Sequence, residues 1–324
     1  MDSSQQPLPI ELSHAIRASH VQLNRLITAR LPLCLPPYTT KPLLYASGMT
    51  VFSHIYSAIE TAVDELLSNP NTDPRVCQML RTLHTTGLPR LDRLAQDLSA
   101  IGQRHNQSTV PLQIQLQTLS DETAQYRTDL HSLLLARPHL LLAWSWNMYL
   151  AIFNGGRFIR RTLRDAGPTY WSSSGSGKEG ESCSDSQPQL RFWEFDGDMD
   201  GDDIKDAFKL NLEAASELLT ASEREEVVQE AGRVMSVCQE IVGRLDEMVG
   251  GRVSGEISRE EVVKKTKRKN SPPESAMSTV LVVLMALLTG LWDALRRLLS
   301  IGKGNAAWED KDGFVRGHGH LHAE

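Results

Sequence analysis

The chain has 324 residues, which is enough for one large domain or two small ones. Its net charge of −6 gives no support for nucleic acid as an electrostatic partner. Its four cysteines lie far apart without a Cys-x-x-Cys pair, which argues against a zinc site and a disulfide framework and suits a reducing compartment. The N-terminus has no basic segment followed by an apolar run, so we expect no signal peptide.

Apolar residues recur at helical spacing through most of the first 250 positions. In chain order, the predicted helices cover 10–30, 42–68, 73–101 (one or two helices, interrupted near Gly87 and Pro89), 112–136, 138–165, 203–219 and 221–249. Thr220 with Glu223, and Ser222 with Glu225, are candidate capping boxes for the last helix. Strand signals are scarce, so the sequence predicts an all-α bundle of about seven to nine helices over 8–250.

The remaining segments fall outside the predicted bundle. Residues 172–189 are rich in serine and glycine, which predicts a disordered insertion, and 251–274 read as a flexible linker with a basic run. Residues 275–300 open with 18 uncharged residues, which predicts a membrane-anchor helix whose basic flank faces the cytosol. The shortness of this segment favours the alternative of a buried or interfacial helix. Residues 301–324 form a polar tail.

An apolar run at 149–159 carries the pair Gly155-Gly156 in its middle. Each glycine inside a helix costs about 1 kcal/mol relative to alanine. The pair therefore predicts either a bend or a surface where something flat presses on bare backbone. The alternative is a helix crossing in which two backbones touch.

Two histidine- or carboxylate-rich segments have weak metal-binding patterns. The loop 196–202 begins like an EF-hand loop, but Ala207 stands where a bidentate glutamate is needed, so a helix-capping loop is preferred to a calcium site. The tail histidines His318, His320 and His322 alternate, a pattern that binds metals adventitiously.

The first long helix offers two further candidates. Glu11 and His14 have the Glu-x-x-His spacing of di-iron bundles, although no second such pair is present. His20 lies next to the apolar side of this helix, where a neutral imidazole can ligate haem iron from one face. The alternative for His20 is an ordinary core or surface histidine.

Four segments together resemble the heme oxygenase family, over about residues 10–250. Residues 15–24 resemble the family's proximal helix, with His20 at the position of the iron ligand, and 54–60 are similar to a His-Ile-Tyr-x-Ala-Leu-Glu helix start. Residues 149–156 resemble the distal motif Tyr-Leu-Gly-Asp-Leu-Ser-Gly-Gly. Phe192–Phe195, Phe208-Lys209, Leu218–Thr220 and Val227–Ala231 follow in the order of further family elements.

The resemblance implies a heme-oxygenase-like bundle that holds haem, a flat apolar disc with an anionic edge. In it, His20 would hold the iron, while Gly155 and Gly156 would shape the opposite face. The resemblance implies Arg17 and Lys209 as propionate-binding cations. Tyr149 and Phe208 are the remaining candidate contacts, and Arg157 is a candidate at the rim.

The sequence departs from the family pattern at several positions. Ala151-Ile152 replace the family's Gly-Asp, whose aspartate organises a distal water network. Asn154 replaces a serine and is the candidate to orient a water. Glu213 stands in place of an arginine that contacts a propionate, and Trp146 in place of a tyrosine that does so.

The resemblance implies O2-dependent opening of haem to biliverdin, iron and carbon monoxide. Because the sequence has no flavin, nicotinamide or iron–sulfur signature, electrons would come from a partner, in this family an NADPH-dependent flavoprotein reductase. We expect an endoplasmic reticulum membrane location with the bundle facing the cytosol. Three alternatives stay open: a haem-binding sensor, carrier or peroxidase-like protein, which Ile152 favours; an oxygenase of another substrate with non-haem iron; and a tethered interaction module.

Overall fold

The computed structural model describes residues 6–105, 110–171 and 190–256, and every regular element in these ranges is helical. The α-helices are α1 (Leu8–Arg30), α2 (Leu43–Ser68), α3 (Pro74–Leu83), α4 (Leu91–Arg104), α5 (Leu112–Glu122), α6 (Ala124–Ala136), α7 (Leu141–Asn154), α8 (Gly156–Asp165), α9 (Pro168–Trp171), α10 (Asp202–Ser216) and α11 (Ala221–Glu256). Short 3-10 turns cover Leu31–Cys34, Pro138–Leu140 and Arg191–Trp193. The predicted all-α architecture is confirmed for these residues.

Helix α2 lies at the centre of the bundle and contacts α3, α4, α5, α6 and α7. Its inward positions are apolar or small, and its buried side chains occur on almost every turn from Tyr45 to Leu66. A helix that is apolar around most of its circumference is buried on most sides. The composition of this segment therefore explains its central place.

Helices α1 and α11 lie side by side and run in the same direction. Near the start of both helices, Arg224 Nε lies 3.3 Å from Glu11 Oε2. Near the end of both, Arg30 Nε donates to Asp246 Oδ1 at 2.7 Å. These cross-helix contacts hold α1 in place along its length. Helix α10 contacts both α1 and α7, so it connects the two helices that carry the candidate ligand positions.

Two of the predicted helices are divided in the structure. The helix expected over 112–136 breaks at Thr123, whose hydroxyl donates to the carbonyl oxygen of Leu119 at 2.7 Å and lies 3.0 Å from His54 Nε2. A buried threonine that bonds back to its own helix weakens the backbone ladder. The helix expected over 138–165 begins with a 3-10 turn and breaks at Gly155. These breaks, together with the unpredicted short helix α9, explain why the described residues contain more helices than predicted.

The capping prediction is confirmed for Thr220 and Glu223. The backbone N–H of Thr220 donates to Glu223 Oε2 at 2.8 Å, and the backbone N–H of Glu223 donates to Thr220 Oγ1 at 3.3 Å. This reciprocal pair satisfies two donors at the start of α11.

Residues up to Gly250 form one compact unit, and of the second unit, from Gly251, the structure describes only 251–256. The predicted insertion 172–189, most of the predicted linker, the predicted anchor 275–300 and the tail 301–324 lie outside the described residues. Among the helices that the structure describes, none combines the length and apolar character needed to cross a bilayer.

Candidate ligand-binding site

His20 lies on the inward face of α1. Leu12, Ile16, Leu23 and Ile27 share this face at helical spacing, with Leu12 fully buried and Leu23 nearly so. The imidazole is half-buried, and burial lowers the pKa of His20, so the ring is neutral at neutral pH. Within the described part of the chain it has no hydrogen bond or ion pair. A neutral imidazole with an uncommitted nitrogen is the form that ligates iron.

Lys209 on α10 and Arg17 on α1 are the two cations that the resemblance places near an anionic ligand edge. Lys209 is half-buried, and desolvation, followed by the charge of Lys205, lowers its pKa. Arg17 is exposed and stands one turn before His20. Neither side chain forms an ion pair with any residue that the structure describes. Both are therefore available to bind a carboxylate ligand.

The two central glycines have different environments. Gly155 is exposed, and a β-carbon added to it would meet only the carbonyl oxygen of Ala151, at 3.4 Å. Gly156 is buried, and a β-carbon there would lie 3.0 Å from Trp193 Cε3 and 3.4 Å from Ile152 Cγ2. Both glycines are absent from the left-handed backbone region. Glycine is therefore required at Gly156 for space, while Gly155 exposes bare backbone.

Trp193 was not recognised as a site residue from the sequence. Its indole packs on Gly156, and its Nε1–H donates to the hydroxyl oxygen of Tyr45 at 2.9 Å. The carboxylate of buried Asp97 accepts from the backbone N–H groups of Arg191, at 3.1 Å, and Phe192, at 2.9 Å. These bonds hold the turn that carries the indole. The bend between α7 and α8 is thus supported from the core by an anchored aromatic side chain.

The exposed side of the bend consists of small and polar residues. Ala151, Asn154 and Gly155 are exposed and lie on one face of the helix. Ile152 instead faces the core and is 1% exposed. The position at which the family carries an acid is therefore part of the apolar packing in this chain, while Asn154 stands where it can meet a ligand or water.

Asn147 lies on the same face of α7, one turn before Ala151, but it is buried. Its Nδ2 donates to the carbonyl oxygen of Ala143 at 2.8 Å. Its Oδ1 is buried and has no hydrogen-bond partner among the described residues. Sequence reasoning missed Asn147, and the signal was an amide within the largely apolar run 140–153.

Tyr149 and Phe208 lie in the core. The Tyr149 hydroxyl donates to Glu60 Oε1 at 3.1 Å, and its ring meets Phe208 edge-to-face with centroids 6.0 Å apart. Phe208 is fully buried. Trp146, at the position of the family's propionate-binding tyrosine, is 3% exposed. These side chains support α7 and α10 from within, and none of them presents an open surface to a ligand in this structure.

Arg157 faces the acidic loop, which differs from the rim role expected for it. Its Nη2 donates to the carbonyl oxygen of Asp200 at 2.6 Å and lies 2.9 Å from Asp202 Oδ1. Arg160 binds both carboxylate oxygens of Asp200, at 2.8 and 2.6 Å, and lowers its pKa. Arg157 and Arg160 therefore occupy Asp200 and Asp202, two of the acidic residues that a calcium site in the loop 196–202 would use. The described residues include no cluster of three or more metal-binding side chains.

Glu213 and Glu11 lie near the start of α1. Burial raises the pKa of Glu213, while the charge of Arg224 and the nearby backbone N–H of Leu8, at the first turn of α1, act to lower it. Its Oε2 is buried without a hydrogen-bond partner among the described residues. His20 is twelve positions after Leu8, and a rise of about 1.5 Å per residue separates the two by about 18 Å. Glu213 therefore lies near the start of α1 rather than beside His20. Glu11 pairs with Arg224, which removes it from the di-iron arrangement considered with His14.

The arrangement of helices that positions His20 and Gly155 is that of a heme-oxygenase-like all-α protein. The chain belongs to the heme oxygenase family, since the family model described as "Heme oxygenase" matches residues 8–243.

Individual relatives are distant. The chain is 23% identical over 151 residues to the heme-binding protein HMX1 of Saccharomyces cerevisiae, a match that spans 45% of this chain and 46% of that protein. Heme oxygenase 2 from Chlamydomonas reinhardtii, solved without heme, is 24% identical with a TM-score of 0.55, over 74% of this chain and 97% of that one. Heme oxygenase-2 from Synechocystis sp., solved with heme and NO, is 18% identical with a TM-score of 0.55, over 83% and 95%. At these identities the solved structures establish the fold.

Proposed function

We propose that the protein binds haem between α1 and the bend that joins α7 to α8, with His20 as the ligand to iron. The observation that carries this proposal is the neutral, half-buried and uncommitted imidazole on the inward face of α1. Lys209 and Arg17, both without an acidic partner in the described residues, supply charge for the propionates. Gly155 and Ala151 offer a face without bulky side chains to the flat ring.

The proposed reaction is the O2-dependent opening of haem to biliverdin, iron and carbon monoxide, the activity that the family resemblance implies. Haem is then the substrate and supplies the iron at which dioxygen is activated. Electrons come from a separate NADPH-dependent flavoprotein reductase, because the sequence contains no redox cofactor signature of its own. His20 would hold the iron, Lys209 and Arg17 would orient the ring through its carboxylates, and Gly155 would offer a close-fitting surface.

A membrane location is part of the proposal. The uncharged opening of 275–300 and the basic run before it support an anchor in the endoplasmic reticulum membrane with the bundle in the cytosol. Placing the protein and its reductase on one membrane would raise their effective concentration.

A second candidate is haem binding without oxygenation, in a sensor, carrier or peroxidase-like protein. The burial of Ile152 favours it, because the family's distal acid is replaced by a side chain that neither binds water nor faces the exposed surface. The yeast relative is described as a heme-binding protein.

The first experiment titrates the full-length protein with hemin and follows the Soret band. We expect one haem per chain, and we expect His20→Ala to change the spectrum and weaken binding at least about 10-fold, the loss of about 1.4 kcal/mol or more. His14→Ala is the matched control, because His14 lies on the same helix but is exposed. Added imidazole should restore the His20→Ala spectrum. Equal effects of the two substitutions would refute His20 as the ligand.

The second step supplies electrons and air to the haem complex and looks for biliverdin. Ascorbate is used beside a flavoprotein reductase with NADPH, so that a mismatched reductase is not mistaken for inactivity. Biliverdin in either arm supports the oxygenase. A stable complex without biliverdin in both arms supports the second candidate, and no haem binding contradicts both.

A further inference from the structure

Asn147 has an unusual environment for a buried amide. It is 4% exposed, and its Oδ1 has no hydrogen-bond donor among the described residues, whereas most buried polar atoms are paired. The orientation of the amide is settled by its neighbour. Nδ2 donates to the carbonyl oxygen of Ala143 at 2.8 Å, so exchanging the two ends would bring two acceptors together.

Asn147 lies on the same face of α7 as Ala151 and Gly155, the exposed residues that we propose to face the haem. Asn147, Ala151 and Gly155 are spaced four residues apart and follow one face of α7. Burial changes along this face, because Asn147 is enclosed whereas Ala151 and Gly155 are exposed. The amide therefore stands at the inner end of the bare surface, one turn below Ala151.

Four described residues share this face, and only Asn147 among Asn147, Ala151, Asn154 and Gly155 has a buried polar side-chain atom. Ile152 is apolar and faces the core, and Asn154 is exposed to solvent, where it competes with bulk water. Asn147 is the residue on this face whose acceptor is both shielded from solvent and uncommitted among the described side chains.

We propose that Asn147 is a positioning residue that holds an ordered water on the distal side of the haem, through a hydrogen bond from the water to Oδ1. The inference rests on the proposed haem binding and extends it. A water held in this way has a second proton directed along the face toward Ala151 and Gly155. It gives this chain a distal proton donor in a place where Ile152 supplies none.

The test uses a property of the ferric haem complex that turnover does not enter, the pH midpoint of its acid–alkaline transition. Asn147→Leu releases this water, so the haem ligand loses a hydrogen-bond donor that favours its hydroxide form, and the midpoint should rise by about one pH unit. Asn147→Asp adds a negative charge, which disfavours hydroxide, and should also raise the midpoint. A side chain that acted only through its polarity would give the opposite sign for Asn147→Leu, because an apolar neighbour favours the less charged hydroxide form. A lowered midpoint in Asn147→Leu would therefore overturn the inference.

Ser145→Ala is the matched control. Ser145 is equally buried on α7, but it lies two residues away and so faces the opposite side of the helix. It should leave the midpoint unchanged. Melting of the haem-free protein should show Asn147→Leu to be at least as stable as the wild type, because the unpaired acceptor has been removed.

Equal midpoints in the wild type and both Asn147 variants, with haem bound, would overturn the inference while leaving the proposed function intact. A loss of haem binding in the wild type would instead overturn the proposed function and the inference with it. If Asn147→Leu fails to fold, Asn147→Asp and Asn147→Thr decide the question, since both retain an acceptor of different charge and reach. A lowered midpoint for Asn147→Asp would also overturn the inference.

Discussion

Substituting Gly155 and Gly156 by alanine, one at a time, tests whether the two glycines have different roles. The structure assigns Gly156 to core packing and Gly155 to the exposed surface. At Gly156, the added β-carbon would lie 3.0 Å from Trp193 Cε3 and 3.3 Å from Cζ3. The indole would have to move by a few tenths of an ångström, and its hydrogen bond to Tyr45 resists that movement. At Gly155, the only atom near the added carbon is the Ala151 carbonyl oxygen, at an ordinary contact distance of 3.4 Å.

The expected stabilities follow from these distances. Overpacking a core position costs about 1–3 kcal/mol, and alanine offsets up to about 1 kcal/mol through its higher helix propensity. Gly156→Ala should therefore lower the free energy of unfolding by about 1–2 kcal/mol. Gly155→Ala should raise it by up to about 1 kcal/mol. For a protein of this size, the two melting temperatures should differ by about 4–8 °C.

Thermal and urea unfolding of the haem-free protein, followed by circular dichroism, measures the stabilities of the two alanine variants relative to the wild type. Gly155→Leu then tests the ligand surface, because it places a large side chain on the exposed face. We expect it to unfold like Gly155→Ala but to bind hemin at least about 10-fold more weakly, the equivalent of about 1.4 kcal/mol. Equal stability of Gly155→Ala and Gly156→Ala would refute the assignment of Gly156 to the core. Unchanged hemin affinity in Gly155→Leu would refute Gly155 as a ligand contact.

Two further predictions concern the framework of the site. Burial raises the pKa of Asp97 to about 7, so the folded state binds a proton more tightly than the unfolded state, and stability should fall as pH rises from about 4 to about 7. Asp97→Asn should flatten this part of the stability profile, and an unchanged slope would show that other groups cause it. Thr220→Ala should cost about 1 kcal/mol in urea unfolding, because it removes a capping hydroxyl. Ser222→Ala, at the second predicted capping box, lies inside α11 and should change stability by less than about 0.5 kcal/mol; the reverse order would refute the observed cap.

The boundaries of the first two helices were predicted closely. The structure gives Leu8–Arg30 for the expected 10–30, and Leu43–Ser68 for 42–68. Helical periodicity and proline breaks are local signals, and these two segments are long enough for such signals to be clear. The break at Thr123 was missed, because no glycine or proline marks it and its cause includes a contact with His54 from another helix.

The site was predicted in part. The place of His20 beside an apolar stripe was visible in the sequence, and in the structure the imidazole is half-buried on α1. Its role as an iron ligand stays a prediction. The charge partners of Arg157 were not visible, because Asp200 and Asp202 belong to a loop well separated from it in sequence. The roles of Lys209 and Arg17 toward haem stay predictions.

The sequence by itself determined the family, the helical class and the residue types at the candidate site, because these depend on spacing and composition along the chain. Only the tertiary structure decided that Gly156 is covered by Trp193 whereas Gly155 is bare. It also decided that Glu213 lies near the start of α1 rather than beside His20. The physical reason is that burial and hydrogen-bond partners depend on which segments pack together. A residue's neighbours across the fold are not encoded in the residues beside it.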